Sequence, residues 1–535
     1  MNQEIKTDYC IVGGGIAGII LASKLAASGK KIVILDQGPR FTEQDRAEML
    51  VKSREQLNDY ADYNDNVDPE IITPLSSASA EGQIVEWTNY RLFGIGGTAL
   101  HFEGIMMRPV ENDMKVKTLY GYGRDWPITY SELEPWLLKA ENEVGVSGND
   151  DNPYASFRSG TYPMQGHAFS YFDSEIFGPA LKKLGITRHS CPRSINSVPY
   201  KGRSGCQACR ACKFCPSGAR YSPDRVHVPF LDEQANVSIL ENLSVRKLET
   251  NSKGDKIIAA HAVHIKDRSP VTILAKNFIV AMGGVETPRM LLLSAGNGIH
   301  KEGLGNMGGQ LGVGFNDHDN PYITFDVGQP VGSRLGFETM VSDHFRKHSN
   351  RAEQPSFTMF ASPAMDWFPV GNEATTWSIQ ENILSLKNLT DRIPNMATLS
   401  IMTETEGKGF LELDKSKLDN FGSPVAKVTM KLTDWDRRAQ TKLSELAPEL
   451  AEAMLAKKVS EVTPPGYGLG YHPSGATAMA NNPEEGVCDE NLKVYGLNNL
   501  YLISNSVFPH MGSNPPTLTI VALALRLAAH FEGKK

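Results

Sequence analysis

The sequence predicts an α/β protein in which a Rossmann-like domain, assembled from separated stretches of chain, is interleaved with an α+β domain built on an antiparallel sheet. Three observations carry this expectation. The segment up to Asp36 reads as strand, glycine-rich turn, helix and strand. A strand, Gly-Gly turn and helix recur around residue 283, and a strand, polar loop and helix follow Leu500. Residues 320–432 alternate apolar and polar side chains at the period of strands.

Taken in order, the first element is a short apolar strand, Tyr9 to Val12, that runs straight into Gly13-Gly14-Gly15-Ile16-Ala17-Gly18. Ile19, Leu21, Leu25 and Ala26 recur at helical spacing, and a second apolar strand from Lys31 to Leu35 ends at Asp36. Gly13 permits the tight turn, Gly15 lets the backbone approach a pyrophosphate, and Gly18 allows close helix–strand packing. The helix N-terminus adds a positive field, and Asp36 is placed for ribose hydroxyls. The pattern indicates a dinucleotide and does not separate NAD from FAD.

Further along, "GYGRDWPITYSELEPW" reads as a turn and then a helix from about Tyr130, with Ser131 as N-cap and Glu132 and Glu134 in the first turn. "NFIVAMGGVETPRM" is a strand, a Gly283-Gly284 turn and a helix, a second close backbone approach. "PSFTMFASP", "ATTWSIQENIL", "ATLSIMTET", "GFLELD" and "PVAKVTMKL" supply strands for one antiparallel sheet that walls a cavity. His472 sits in a glycine-containing turn, "YHPSGATAMA". A strand from Leu500 to Ser504, a loop rich in Pro, Gly and Asn, and a helix from about Thr517 then bring another helix N-terminus beside a polar loop.

Composition sets limits on function. With 535 residues, 41% of them hydrophobic, the chain holds two or three intertwined domains with ample core. A net charge of -7 gives no basic face for nucleic acid. "MNQEIKTDYCIVGGG" lacks the basic and apolar regions of a signal peptide. "LTIVALALRLAAHF" is interrupted by Arg526 and too short to span a bilayer, so a protein without a transmembrane segment is expected.

Four of seven cysteines, Cys206, Cys209, Cys212 and Cys215, fall at three-residue intervals in "CQACRACKFCP". Structural zinc usually draws two Cys pairs separated by a longer loop, which this run lacks. Disulfides between thiols three apart must meet a narrow Cα separation and are rare in reducing compartments. Iron–sulfur ligation explains the spacing best, since compact Cys-x-x-Cys-x-x-Cys runs ending in Cys-Pro wrap a small cluster, with zinc second.

The N-terminal unit, "GIGGTALHFEG" at 94–104, "AMGGVETPRMLL" at 281–292, "HPSGATAM", "NLYLISNSVFP" and "SNPPTLT" together resemble the glucose-methanol-choline (GMC) oxidoreductases over nearly the full chain. The resemblance implies FAD, with His472 as the base that takes a substrate hydroxyl proton and Asn514 as its active-site partner. It places Gly96 and Gly97 against the flavin ring, and Ala17, Val245, Asn505, Pro516 and Thr517 among the cofactor contacts. His101 aligns with a histidine that some relatives bond covalently to flavin; a noncovalent contact or a packing role is expected here. Ser504 stands where many members carry aspartate, and Asp36 replaces the more usual glutamate.

"GRDWPITYSELEPW" and "CPSGARYSPDRVHV" resemble the bacterial flavin sugar dehydrogenases of that family, which include gluconate, glucose and glucoside 3-dehydrogenases and fructose dehydrogenase. That branch implies a sugar or glycoside substrate and, from the cysteine segment, a 3Fe-4S or 4Fe-4S cluster held by Cys206, Cys209, Cys212 and Cys215. It also implies a small partner subunit or a cytochrome c acceptor, and residence in the cytoplasm, or in the periplasm by export with a signal-bearing partner. An oxygen-using sugar oxidase and a noncatalytic redox sensor are the alternatives. The expected FAD-binding pieces are 1–105, 225–318 and 465–535, with the cap and cysteine region at 106–224 and the substrate domain at 319–464.

Overall fold

A computed structural model describes residues 3–55, 63–79, 91–296, 298–332, 336–347, 350–363, 393–460, 462 and 470–533. Its largest sheet contains β1 (Gln3–Val12), β2 (Ile32–Leu35), β5 (Val237–Leu240), β6 (Leu243–Thr250), β7 (Ile257–His264), β8 (Pro270–Val280) and β17 (Leu500–Leu502). The order is β5-β2-β1-β8-β7-β6, and β17 pairs with the end of β8 that β7 leaves open. β5, β2, β1, β8 and β17 are parallel, which puts helices on their faces and explains why "CIV" and "IVIL" are apolar without alternation. β1 begins at Gln3 rather than Tyr9, because Gln3 to Lys6 pair with Val271 to Leu274. A polar strand half needs only a partner's backbone, a signal with no apolar run to announce it.

Among the described residues, the helices of ten residues or more are α1 (Ile16–Leu25), α2 (Glu43–Glu55), α3 (Tyr130–Val144), α4 (Gly283–Leu293), α5 (Asp434–Met454) and α6 (Thr517–Phe531). α6 packs against both α1 and α3, and its Leu518, Val521, Ala522 and Leu525 join Ile20, Leu133 and Leu137 in the main core. The N-cap of α3 is Thr129, not Ser131. Thr129 Oγ1 accepts from the Glu132 amide at 3.3 Å while Glu132 Oε2 accepts from the Thr129 amide at 2.7 Å. This reciprocal capping box holds both ends of the first turn.

The expected single antiparallel sheet is two sheets. The first runs β16 (Lys458–Val459), β10 (Tyr322–Asp326), β13 (Met396–Thr403), β12 (Phe357–Pro363), β11 (Met340–Ser342) and β4 (His189–Ser190), antiparallel throughout. α5 covers it, burying Ala439, Leu443 and Leu450 against Phe325, Met359 and Leu399. The second holds β3 (Ser76–Ser79), β15 (Pro424–Met430), β14 (Gly409–Leu418) and β9 (Val313–Phe315). β14 and β15 bury Leu411, Ala426 and Val428 with Phe315 and Val285 in a separate cluster, so they leave the first sheet. The stretch "ATTWSIQENIL" lies outside the described residues. No helix among the described residues is long and apolar enough to cross a membrane.

Candidate functional site

The turn after β1 is built so that only glycine fits at two points. Gly13 has φ +109°, and a Cβ there would lie 2.4 Å from the Ala281 carbonyl oxygen. A Cβ on Gly18 would lie 2.2 Å from the Gly13 carbonyl oxygen, so α1 closes directly on the strand end. Gly15 differs: its Cβ would meet nothing nearer than Gly97 Cα at 3.9 Å, and the space beside it opens into a cleft.

That cleft takes in about 1220 Å³ when its open mouth is counted. Gly13, Gly15, Ala17, Asp36, Gly97, Val245, His472, Asn505, Pro516 and Thr517 all line it, so ten of the sequence-predicted residues meet in one place. Asp36 Oδ2 accepts from the Gly14 amide and Oδ1 from the Gly38 amide, each at 2.8 Å. The carboxylate therefore pins the glycine turn and keeps further lone pairs for a ribose. Burial raises its carboxyl above the usual range.

Gly18, Gly96, His101 and Asn514 do not line the cleft. Gly96 donates to the Gly14 carbonyl at 2.8 Å and buttresses the turn from behind, while Gly97 beside it faces the cleft. His101 ends the short 3₁₀ turn Gly97–Leu100. Asn514 is buried, with Oδ1 accepting from Arg346 at 2.7 Å and Nδ2 donating to the Pro515 carbonyl at 3.1 Å.

His472 borders the cleft at the mouth of α4. A Cβ on Gly284 would lie 1.8 Å from the Pro473 carbonyl oxygen, so the second Gly-Gly turn lets the His472 segment lie on the start of α4. Asp317 Oδ1 receives the backbone amides of His318 at 2.7 Å and His472 at 2.9 Å. The two rings meet Nδ1 to Nδ1 at 3.0 Å, and His318 Nε2 lies 3.0 Å from the Gly512 carbonyl oxygen. Asp317, His318 and His472 bring three ligand-type atoms within 4.8 Å of one another, and these hydrogen bonds account for their closeness. Burial pushes His472 down to about 3 and the Asp317 carboxyl up to about 8.

Under the Asn514 loop runs a buried ionic network that sequence reasoning missed. His510 Nε2 meets Glu404 Oε2 at 2.9 Å, Arg351 Nε donates to Glu404 Oε1 at 3.1 Å, and Arg351 meets Asp113 at 2.9 Å. Burial alone would raise Glu404, but Arg351 and His510 outweigh it and hold the carboxyl far below the usual range. Glu286, on the cleft wall, is likewise raised by burial and lowered further by Arg289 and Arg91. "NDHDNP" around His318 reads as a turn, and nothing local marks its partner 154 residues on.

None of the seven cysteines, the four clustered ones included, forms a disulfide. Cys206, Cys212 and Cys215 border one small apolar cluster with Ile195 and Phe337, whereas Cys209 is exposed. The Ala208 amide lies 3.4 Å from Cys206 Sγ and the Arg220 amide 3.2 Å from Cys215 Sγ, a pattern that suits thiolate acceptors. Ala208, Arg210 and Cys215 hold φ of 51°, 59° and 35°, so the loop coils more tightly than ordinary residues prefer. Arg220 is buried and spends its guanidinium on carbonyls: Cys212 at 2.7 Å and Lys213 at 3.1 Å on one side, Ala99, Leu100 and Phe102 at 2.9, 2.6 and 2.9 Å on the other. It straps the cysteine loop to the Gly97–Leu100 turn.

The GMC oxidoreductase family model matches residues 8–335, and its C-terminal counterpart matches 405–524. The fructose dehydrogenase large subunit of Gluconobacter japonicus is 28% identical over 98% of this chain and 98% of its own. The gluconate 2-dehydrogenase flavoprotein of Pantoea cypripedii is 24% identical over 96% of this chain and 92% of its own. Among solved structures, pyridoxine 4-oxidase from Mesorbium loti shares the fold, with a TM-score of 0.65 at 17% identity over 99% of this chain and 100% of that one.

Proposed function

The chain belongs to the GMC oxidoreductase family, and from that premise we propose that it is a sugar or glycoside dehydrogenase that oxidises a substrate hydroxyl with His472 as its base. It is an FAD-dependent oxidoreductase acting on CH–OH groups. The cleft fits that cofactor: Gly13 and Gly15 leave backbone room for a pyrophosphate, Asp36 offers ribose acceptors, and the N-termini of α1 and α6 open beside it. FAD, when bound, supplies the hydride acceptor.

The observation that carries the reading is His472 on the wall of that cleft, with burial keeping its ring neutral so that one ring nitrogen offers a lone pair. Asn514, with Oδ1 accepting from Arg346 and Nδ2 donating to the Pro515 carbonyl, lies behind the cleft wall and would reach the same substrate oxygen only by giving up that Pro515 contact. The sugar class is supported by similarity to a fructose dehydrogenase and a gluconate 2-dehydrogenase.

Cys206, Cys209, Cys212 and Cys215 hold an iron–sulfur cluster in this reading, 3Fe-4S or 4Fe-4S. Amide-to-sulfur contacts and the tight left-handed coil of the loop support it. Such a cluster moves single electrons, here toward a cytochrome, quinone or dye. The Arg220 strap supports an exit there, since it joins the loop to a turn on the cleft wall.

The test is stopped-flow flavin reduction over a panel of sugars and glycosides, in wild type and His472→Ala, with iron and sulfide assayed on anaerobically purified protein. His472→Ala is expected to retain FAD and slow reduction roughly 100- to 10,000-fold. Fast reduction in that variant refutes the base. Peroxide formation without dye reduction points instead to an oxidase, and zinc in place of iron removes the relay.

A further inference from the structure

His318 and His472 face each other through the same ring nitrogen, Nδ1, at 3.0 Å with the rings 83° apart. A contact of this kind needs one proton between two lone pairs, so the question is which ring owns it. The answer lies on the far side of His318. Its Nε2 lies 3.0 Å from the Gly512 carbonyl oxygen, which can only accept, so Nε2 carries a proton.

His318 is fully buried, with His472, His510 and Arg346 as its charged-type neighbours; the nearby Asp317 carboxyl bonds the backbone amides of His318 and His472 and makes no hydrogen bond to the His318 ring. Desolvation and these neighbours hold its imidazolium far below the usual range. The ring is therefore neutral, its single proton is on Nε2, and Nδ1 is a lone pair. The proton in the contact then belongs to His472 Nδ1, which leaves the lone pair of His472 on Nε2.

We propose that His318 is a positioning residue that locks His472 in its Nδ1–H tautomer, making Nε2 the base atom. The same ring ties the His472 segment to the Asn514 segment through Gly512, two residues before Asn514. A carboxylate performs this orienting task for the histidine of serine proteases, where the wrong tautomer is strongly inhibitory. Here a neutral ring does it without adding negative charge beside a hydride-accepting cofactor.

The inference rests on His472 as base. His318→Leu removes the acceptor, whereas His318→Gln keeps both an amide oxygen for His472 Nδ1–H and an amide N–H for the Gly512 carbonyl. In FAD-loaded His318→Leu, limiting flavin reduction is expected to fall about tenfold with little change in substrate KM, the loss expected when one net hydrogen bond no longer biases the tautomers. His318→Gln is expected to recover to within about threefold of wild type. The ¹⁵N spectrum of histidine-labelled wild type is expected to show His472 protonated at Nδ1 and bare at Nε2. Rapid reduction in His318→Leu, failure of His318→Gln to rescue, or a His472 proton on Nε2 overturns the lock. If His472→Ala reduces flavin at the wild-type rate, the base reading fails, and the spectrum still decides the tautomer.

Discussion

Gly284→Ala tests whether the position of the His472 segment is set by backbone contact with α4. The new Cβ would stand 1.8 Å from the Pro473 carbonyl oxygen and 2.6 Å from its carbon, with Asn505 Oδ1 at 3.2 Å. Carbon atoms of this kind are essentially never found below 3.0 Å from such a neighbour, so the Pro473 peptide must retreat by about 1.2 Å. Both colliding atoms are backbone, so no rotamer change relieves the clash. Overpacking of this sort costs about 1–3 kcal/mol. Because Pro473 is bonded to His472, the base moves with it, and a displacement near 1 Å costs roughly 100-fold in rate. FAD content by absorbance, thermal midpoint and stopped-flow reduction separate these effects. The expected variant binds flavin and reduces it about 100-fold more slowly. Gly29→Ala serves as control, since Gly29 has φ +69° and open space around it, so that variant loses a little stability and no rate. A fully flavinated Gly284→Ala with wild-type rate refutes the contact argument.

Two further outcomes follow from the buried charges. Asp317 has a folded pKa near 8 against about 3.9 when unfolded, so its contribution is present at low pH and lost as pH rises from about 4 through 8. Asp317→Asn is expected to flatten the fall of the thermal midpoint across that window, and an unchanged slope refutes the assignment. Arg220→Lys keeps a charge but loses the fork that reaches five carbonyls, which at about 1 kcal/mol for each of roughly three lost bonds costs near 3 kcal/mol. A lower thermal midpoint with loss of iron is the expected result, and a wild-type midpoint contradicts the strap.

Local signals made much of this legible. The βαβ unit, the start of α6 at Thr517 and the Gly283-Gly284 approach are each written within a few dozen residues, and their predicted residues converge on one cleft. Ser131 was a reasonable cap by residue type, yet Thr129 wins because Glu132 stands three residues after it and closes the reciprocal pair. The split of the antiparallel region escaped detection because strand periodicity marks a face and says nothing of which neighbour shares the sheet. His318, Arg346 and Arg220 were also unreadable. Each acts through a partner more than 100 residues away, His472, Asn514 and Ala99 respectively, and a separation of that size has no period.

The pairing of β1 with β8 also has a consequence for biosynthesis. Gln3 aligns with Val271 and Val12 with Val280, so β1 gains its main neighbour only once slightly more than half of these 535 residues have been translated. At about 5–20 residues per second, that delay is roughly 15–50 s, during which an apolar strand has an open edge. The cleft waits longer, because Pro516 and Thr517 form part of its wall. Cofactor capture is therefore a late event, completed only after the C-terminal wall of the cleft has been made.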